Sequence, residues 1–230
     1  MSLLYNIGIF LTGMILPILA FFKPKIKMFV NGRKDTFGIL SKGISRDDKI
    51  IWVHCASLGE FEQGRPVIEG IKTRNPSYKF LLTFFSPSGY EVRKDYEFAD
   101  IITYLPLDTR SNAKKFVKLT HPLLAIFVKY EFWPNLLEEL ETNQIPTVLV
   151  SGIFRSNQIF FKPSGNWMRK KLRTFRHFYV QNEASRSFLQ TIGLKNTTVS
   201  GDTRFVSVIQ LKKMNNHLEF LEKFCVSKTV

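Results

Sequence analysis

Residues 50–61 read IIWVHCASLGEF. The run from Ile50 to His54 is apolar without the polar alternation of a half-exposed strand. It therefore predicts a strand covered on both faces, and the small residues after it predict a turn into a helix that opens near Glu60. Runs of the same kind recur at 79–83, 101–104, 123–127, 147–150, 178–180 and 197–200. Between them lie stretches long enough for helices, at 61–73, 88–98, 109–119, 133–142, 166–176 and 183–191. Buried strands alternating with amphipathic helices define an α/β class, here a doubly wound, Rossmann-like parallel sheet with helices on both faces. No internal repeat interrupts it.

In such a sheet, ligands gather outside the carboxyl ends of the strands, so the loops there are searched first. After the first strand come Ser57, Gly59 and Glu60. An acid at the opening turn of a helix gains from the macrodipole whether or not it does chemistry. Ser86, Pro87, Ser88 and Gly89 follow the second strand. Their hydroxyls and free backbone N–H groups suit an anion, and simple capping explains the two serines equally well. After the fourth strand stand Lys129, Tyr130, Glu131, Phe132, Trp133, Pro134 and Asn135, where a Lys beside a Glu reads as readily as a structural ion pair. The fifth strand runs out through Ser151 and Gly152 to Arg155. His54 is the only histidine at a strand's carboxyl end, and it fits a buried structural role as well as a ligand contact.

Composition widens the picture. The 230 residues are 44% apolar and 23% charged, which excludes disorder and low-complexity classes. A formal charge of +14 demands an anionic partner, with nucleic acid, anionic lipid and phosphorylated substrates as the candidates. The two cysteines, Cys55 and Cys225, stand too far apart in sequence to suggest a disulfide framework, and the four histidines are scattered, so no metal site is expected. Neither a G-x-G-x-x-G after the first strand, nor a P-loop, nor a G-x-S-x-G elbow is present.

Residues 3–22, LLYNIGIFLTGMILPILAFF, carry no charge over a length that suits a membrane-crossing helix, even with Pro17 inside it. Lys23, Lys25, Lys27, Arg33 and Lys34 follow, so the positive-inside rule places the remainder in the cytoplasm. The same pattern fits a helix lying on anionic headgroups. The expected organisation is a membrane anchor at 1–22, a basic juxtamembrane linker at 23–49, the Rossmann-like domain at 50–205, and a C-terminal helix with a polar tail at 206–230. A second basic region runs from Arg155 to Asn182, with seven Lys or Arg, no acid, and Phe160, Phe161, Trp167 and Phe175 interleaved. That mixture suits contact with lipid headgroups and acyl chains, or else a solvated basic helix with its apolar stripe on the core.

The loops together resemble one family. CASLGEF at 55–61, FFSPSGYE at 84–91, YLPLD at 104–108, YEFWPN at 130–135, SGIFR at 151–155, QNEASRSFLQTIG at 181–193 and VSGDTRF at 199–205 occur in the order and spelling of the Kdo (3-deoxy-D-manno-octulosonic acid) transferases of lipopolysaccharide assembly, which have the GT-B fold. The resemblance implies inverting transfer of Kdo from CMP-Kdo to the lipid A precursor, lipid IVA, at the cytoplasmic face of the bacterial inner membrane. It assigns Glu60 as general base and Glu131 as a second acid that orients groups around the acceptor. Ser57, Gly59, Ser86, Ser88, Gly89 and Lys129 are then substrate contacts, and Arg155 meets lipid phosphate. Neither a cofactor nor a metal is implied, and CMP-Kdo serves as donor substrate. Family members carry a second Rossmann-like domain for the nucleotide sugar. The expectation is that this chain is the acceptor half, inactive alone, with its CMP-Kdo site in a missing domain. Val206 stands where the family usually has Asp. A rival reading needs only the anchor and the charge: a non-catalytic, membrane-attached basic domain for anionic lipid or nucleic acid. No RNP-like strand or helix-turn-helix supports nucleic acid.

Overall fold

A computed structural model describes residues 2–205. Three helices, α1 (Ser2–Ala20), α2 (Pro24–Lys34) and α3 (Thr36–Gly43), precede the sheet. Strands β1 (Ile50–Cys55), β2 (Lys79–Phe84), β3 (Ile101–Tyr104), β4 (Leu124–Val128), β5 (Thr147–Gly152), β6 (Phe175–Val180) and β7 (Thr197–Val199) then alternate with helices. These are α4 (Leu58–Arg74), α5 (Pro87–Arg93), α6 (Arg110–Thr120), α7 (Pro134–Thr142), α8 (Asn166–Leu172) and α9 (Glu183–Thr191). Every strand pair is parallel, in the order β3-β2-β1-β4-β5-β6-β7. The chain reverses its direction of winding between β1 and β4, and a crevice opens there at the strands' carboxyl ends.

Both faces of the sheet are covered, as the unbroken apolar strands require. Ile50 and Trp52 pack with Phe116, Leu137 and Leu172 on one side, while Ile51, Val53 and Cys55 pack with Phe61 and Ile68 on the other. The doubly wound parallel architecture expected from the sequence is therefore present.

Residues 23–49 depart from the expected linker, because α2 and α3 occupy most of them and are docked on the sheet. A side chain at Gly32 would lie 2.2 Å from the Tyr104 ring, so only glycine lets α2 come this close. Arg33 sits over the rings of Phe29, Phe85 and Tyr104 and donates to the carbonyls of Phe29, Phe85 and Leu105. Burial pulls its pKa down to about 9. Leu40 and Thr36 of α3 are fully buried. Two helix ends also shift: α5 stops at Arg93 rather than near Phe98, and α8 stops at Leu172. Phe175 begins β6 instead of closing a helix, since Phe175, Phe178 and Val180 all face the core. The C-terminal helix expected at 206–230 lies outside the described residues.

Candidate active site

The site is built on the two strands that flank the winding reversal. β1 ends at Cys55, and Ser57, in extended backbone, stands at the N-cap position of α4, which places Glu60 in the first turn of the helix. Glu60 is buried, with 8% of its surface exposed. Its carboxylate accepts a hydrogen bond from the Ser57 hydroxyl and pairs with the Lys129 ammonium at 3.3 Å. Burial pushes the Glu60 carboxyl up, but the Ser57 and Lys129 contacts outweigh it and hold the group below its ordinary value. The carboxylate is thus ionised at neutral pH. The chain leaves β4 at Lys129 with a left-handed backbone, φ 74°, which costs a non-glycine residue roughly 1–2 kcal/mol. The Lys129 and Glu131 side chains diverge from this turn. Lys129 joins Glu60, and Glu131 stands 3.6 Å from His54 Nε2.

His54 is wholly buried. Its Nδ1 lies 3.2 Å from the Thr83 carbonyl, an acceptor only, so Nδ1 carries the proton. Its Nε2 accepts from the Trp133 indole at 3.2 Å. Every ring nitrogen therefore has a partner, and His54 is a structural histidine that fixes Trp133 over the crevice. Both carboxylates also act on Cys55. Burial first, then Glu60 and Glu131, raises its thiol well above the ordinary range, so it remains protonated and is a poor nucleophile.

The second loop joins the first through the backbone. The N–H groups of Phe85 and Ser86 both donate to the Ala56 carbonyl, and the Phe85 ring meets Trp133 at 4.6 Å. Ser86 caps α5 by accepting from the Ser88 N–H and contacts the Ser88 hydroxyl at 2.9 Å. Gly89 is buried, and a side chain there would lie 2.3 Å from Phe84 and 3.0 Å from the Ser57 carbonyl carbon. Close packing of the two loops thus accounts for the glycine at that position. Gly59 is different. It is exposed, with space above its backbone for a ligand to approach. Arg155, just past β5, is exposed, and among the described residues its guanidinium forms no hydrogen bond or ion pair. Ser57, Glu60, Lys129 and Glu131 are brought together, Ser86 and Ser88 stand beside them, and Arg155 lies on a neighbouring loop.

The sequence matches the profile of the 3-deoxy-D-manno-octulosonic-acid transferase (kdotransferase) family over residues 31–207. The chain belongs to that family. A 3-deoxy-D-manno-octulosonic acid transferase of Aquifex aeolicus is 30% identical over 158 residues, covering 68% of this chain and 40% of the relative. A bifunctional glycosyltransferase/methyltransferase of Fusobacterium nucleatum is 26% identical over 205 residues, covering 85% of this chain and 30% of the relative. The chain thus spans less than half the length of these curated relatives. In shape it is similar to a UDP-GlcNAc 2-epimerase of Neisseria meningitidis, with a TM-score of 0.56 and 16% identity over 79% of this chain and 55% of that one. A putative UDP-N-acetylglucosamine 2-epimerase of Listeria monocytogenes gives 0.58 at 9% identity, over 76% of this chain and 50% of that one. These two likenesses concern the fold alone.

Two features of this Kdo-transferase-family domain escape a reading by residue type. Asp108, within YLPLD, is almost fully buried and accepts from the N–H groups of Asn135 and Leu136 and from the Tyr5 hydroxyl. Burial raises its pKa to about 6 despite these hydrogen bonds. Ser151, with φ 54°, is fully buried and joins Gln63 and Gln181 in a hydrogen-bonded trio beneath the crevice. Asp108 and Ser151 lie in segments that carry the family resemblance, but only the folded chain shows their partners. Among the described residues, no group of three or more His, Cys, Asp or Glu is gathered as a metal site.

Proposed function

We propose that this domain holds the lipid A precursor at the cytoplasmic face of the bacterial inner membrane and supplies the base for an inverting transfer of Kdo from CMP-Kdo. The observation that carries the reading is Glu60, held ionised at the sheet's switch point beside the open Gly59 backbone. An acceptor hydroxyl that takes over the hydrogen bond from Ser57 gives its proton to Glu60. Its oxygen then attacks the anomeric carbon of Kdo, and CMP departs from the opposite face with the bonding pair. Lys129 keeps the carboxylate charged and moderates its basicity. Glu131, two residues past Lys129 on the same loop, orients groups around the acceptor.

Two further features support a lipid acceptor. A groove of about 620 Å³ runs beside Ser86 and Ser88, with Leu16, Ile26, Met28 and Phe29 among its walls, and suits an acyl chain. Arg155 offers a guanidinium fork to a phosphate. The donor is assigned to no residue described here.

The test has two parts. Binding of the lipid A precursor to the detergent-solubilised chain is expected to weaken about tenfold in Arg155→Ala, the loss of roughly one charge-assisted hydrogen bond. In a Kdo-transferring form of the protein that contains this domain, Glu60→Gln should lower kcat by roughly 10²–10⁴ with acceptor affinity retained. Full activity in Glu60→Gln would falsify the base assignment.

A further inference from the structure

Helix α1 is apolar and long enough to cross a bilayer, and one of its faces packs partly against the rest of the chain. Its half-buried positions include Tyr5, Asn6, Ile9, Gly13, Leu16 and Ala20, spaced at three and four residues, so they form one stripe along the whole helix. The stripe is hydrogen-bonded to the globular domain near its N-terminal end and lies against it as far as Leu16. Tyr5 donates to Asp108 and its ring meets Trp167 at 6.0 Å, while Asn6 accepts from the Asn135 side chain. Further along, the position of a Gly13 side chain is 3.7 Å from Leu107, and Leu16 faces a cavity shared with Phe29, Phe37 and Pro106. From Tyr5 to Leu16 the helix advances about 17 Å. A helix that crosses the bilayer carries its far end away from a domain on one side; this one does not leave the domain.

The opposite face is the informative one. Leu4, Ile7, Leu11, Met14, Ile15 and Ile18 are all exposed, and they fall on the arc facing away from the docked stripe. Phe21 and Phe22 extend this surface at 88% and 78% exposure, and Lys23, Lys25 and Lys27 follow directly. An apolar arc that ends in a cluster of lysines complements acyl chains beneath anionic headgroups. A second copy of the chain on the same face would bring two such lysine clusters together.

We propose that α1 is an in-plane anchor: it stays docked on the domain and dips its outer arc into an anionic bilayer, with both of its ends on the domain's side of the membrane. This deepens the membrane reading above and rests on it. A tag with one cysteine placed ahead of Met1, in a Cys225→Ser background, is labelled with a membrane-impermeant maleimide in sealed membrane vesicles, beside a second protein carrying Asp47→Cys on the exposed domain surface. The expected result is that tag and domain are labelled from the same side. Labelling from opposite sides overturns the in-plane anchor while leaving the membrane reading intact. Failure of the chain to float with vesicles of phosphatidylethanolamine and phosphatidylglycerol overturns both. Probes at Leu4, Leu11 and Ile18, quenched by lipids brominated at defined depths, should report one shallow depth; a deepest point at Leu11 contradicts the proposal. Leu11→Glu is expected to weaken vesicle binding at least tenfold with the thermal unfolding of the domain unchanged in detergent, and undiminished binding likewise counts against it.

Discussion

Two regions of this chain set apolar side chains next to cations, and they place those apolar groups in opposite environments. On α1 the outer Leu, Ile and Met side chains face outward, ahead of three lysines. In the stretch from Arg155 to Asn182 the most buried rings turn inward. Phe160 and Phe175 are no more than 4% exposed and pack in one aromatic cluster with Phe132 and Phe154. Arg155, Lys162, Lys170, Arg173 and Arg176 are left on the outside. The expectation of aromatic contact with lipid in this second region is therefore corrected at Phe160 and Phe175, whose rings are core, while Phe161 and Trp167 are half-buried and the cations stand outside. The lesson is one of spacing against surroundings. A basic segment whose rings alternate with cations across a strand or a short helix buries the rings as soon as a sheet lies beneath, whereas α1 carries apolar residues all round and has surface to spare after one stripe is docked.

The largest test of that contrast is truncation. Phe175→Ala opens a hole in the aromatic cluster and is expected to cost about 3–5 kcal/mol in denaturant unfolding. Ile18→Ala, on the outer arc of α1, should change stability in detergent by less than about 0.5 kcal/mol, as exposed substitutions do. Equal effects would mean that the two regions are not the opposites described here.

Next comes the joint that holds α1 to the domain. Burial raises the Asp108 carboxyl from 3.8 to about 6. With the folded value above the unfolded one, the native state binds more protons between these values, and stability falls as pH rises from about 4 to 6. The difference amounts to roughly 3 kcal/mol at about 1.4 kcal/mol per unit. Glu60 works in the opposite sense, since its lowered carboxyl contributes stability above its unfolded value that is lost as pH falls through the folded one. Asp108→Asn should remove the fall between pH 4 and 6 and leave the acid-side loss in place. A pH profile identical to that of the unsubstituted protein would dismiss Asp108 as the source.

A pair of glycines sharpens the contrast further. A side chain at Gly165, in the second region, would meet the Ile159 carbonyl oxygen at 1.7 Å, while Gly8 on α1 has nothing within 4 Å. Gly165→Ala is expected to destabilise by about 1–3 kcal/mol, as overpacked positions do. Gly8→Ala should be neutral or stabilise α1 by up to about 1 kcal/mol. Thermal unfolding of the two variants reads both signs.

How much of this was legible beforehand follows from what each feature depends on. The strands β1, β2, β4 and β5 are continuous apolar runs, and burial on both faces leaves no other reading, so the sheet could be read from local sequence. The position of Glu60 after β1 and of Glu131 after β4 was equally plain, because a strand's end fixes a loop's place. Partners were not. Lys129 and Glu131 are two residues apart, and the natural pairing is between them; only the left-handed turn at Lys129 sends its ammonium to Glu60, 69 positions earlier. The docking of α2 was hidden for the same reason. Gly32 and Arg33 sit among cations that look like a juxtamembrane patch, and their purpose depends on Tyr104 and Phe85, which the fold brings to them from far along the chain.

The smallest predicted effect returns to the charges of the second region. Lys171 pairs with Glu138 of α7 at 2.7 Å, and Glu138 remains 47% exposed. Solvent screens such a pair, so Lys171→Ala should cost no more than about 1 kcal/mol. Its effect on association with anionic vesicles is expected to be slight as well, because its charge is already matched by the glutamate. Arg173→Ala and Arg176→Ala remove exposed cations that form no ion pair among the described residues. Each should weaken vesicle association by up to about 1 kcal/mol, the usual worth of one surface cation near an anionic membrane, with the largest effect at low salt. If Lys171→Ala weakened vesicle binding more than either arginine substitution, the division between a core-facing and a partner-facing set in this region would fail, since the residue tied to α7 would then be the one that meets the lipid.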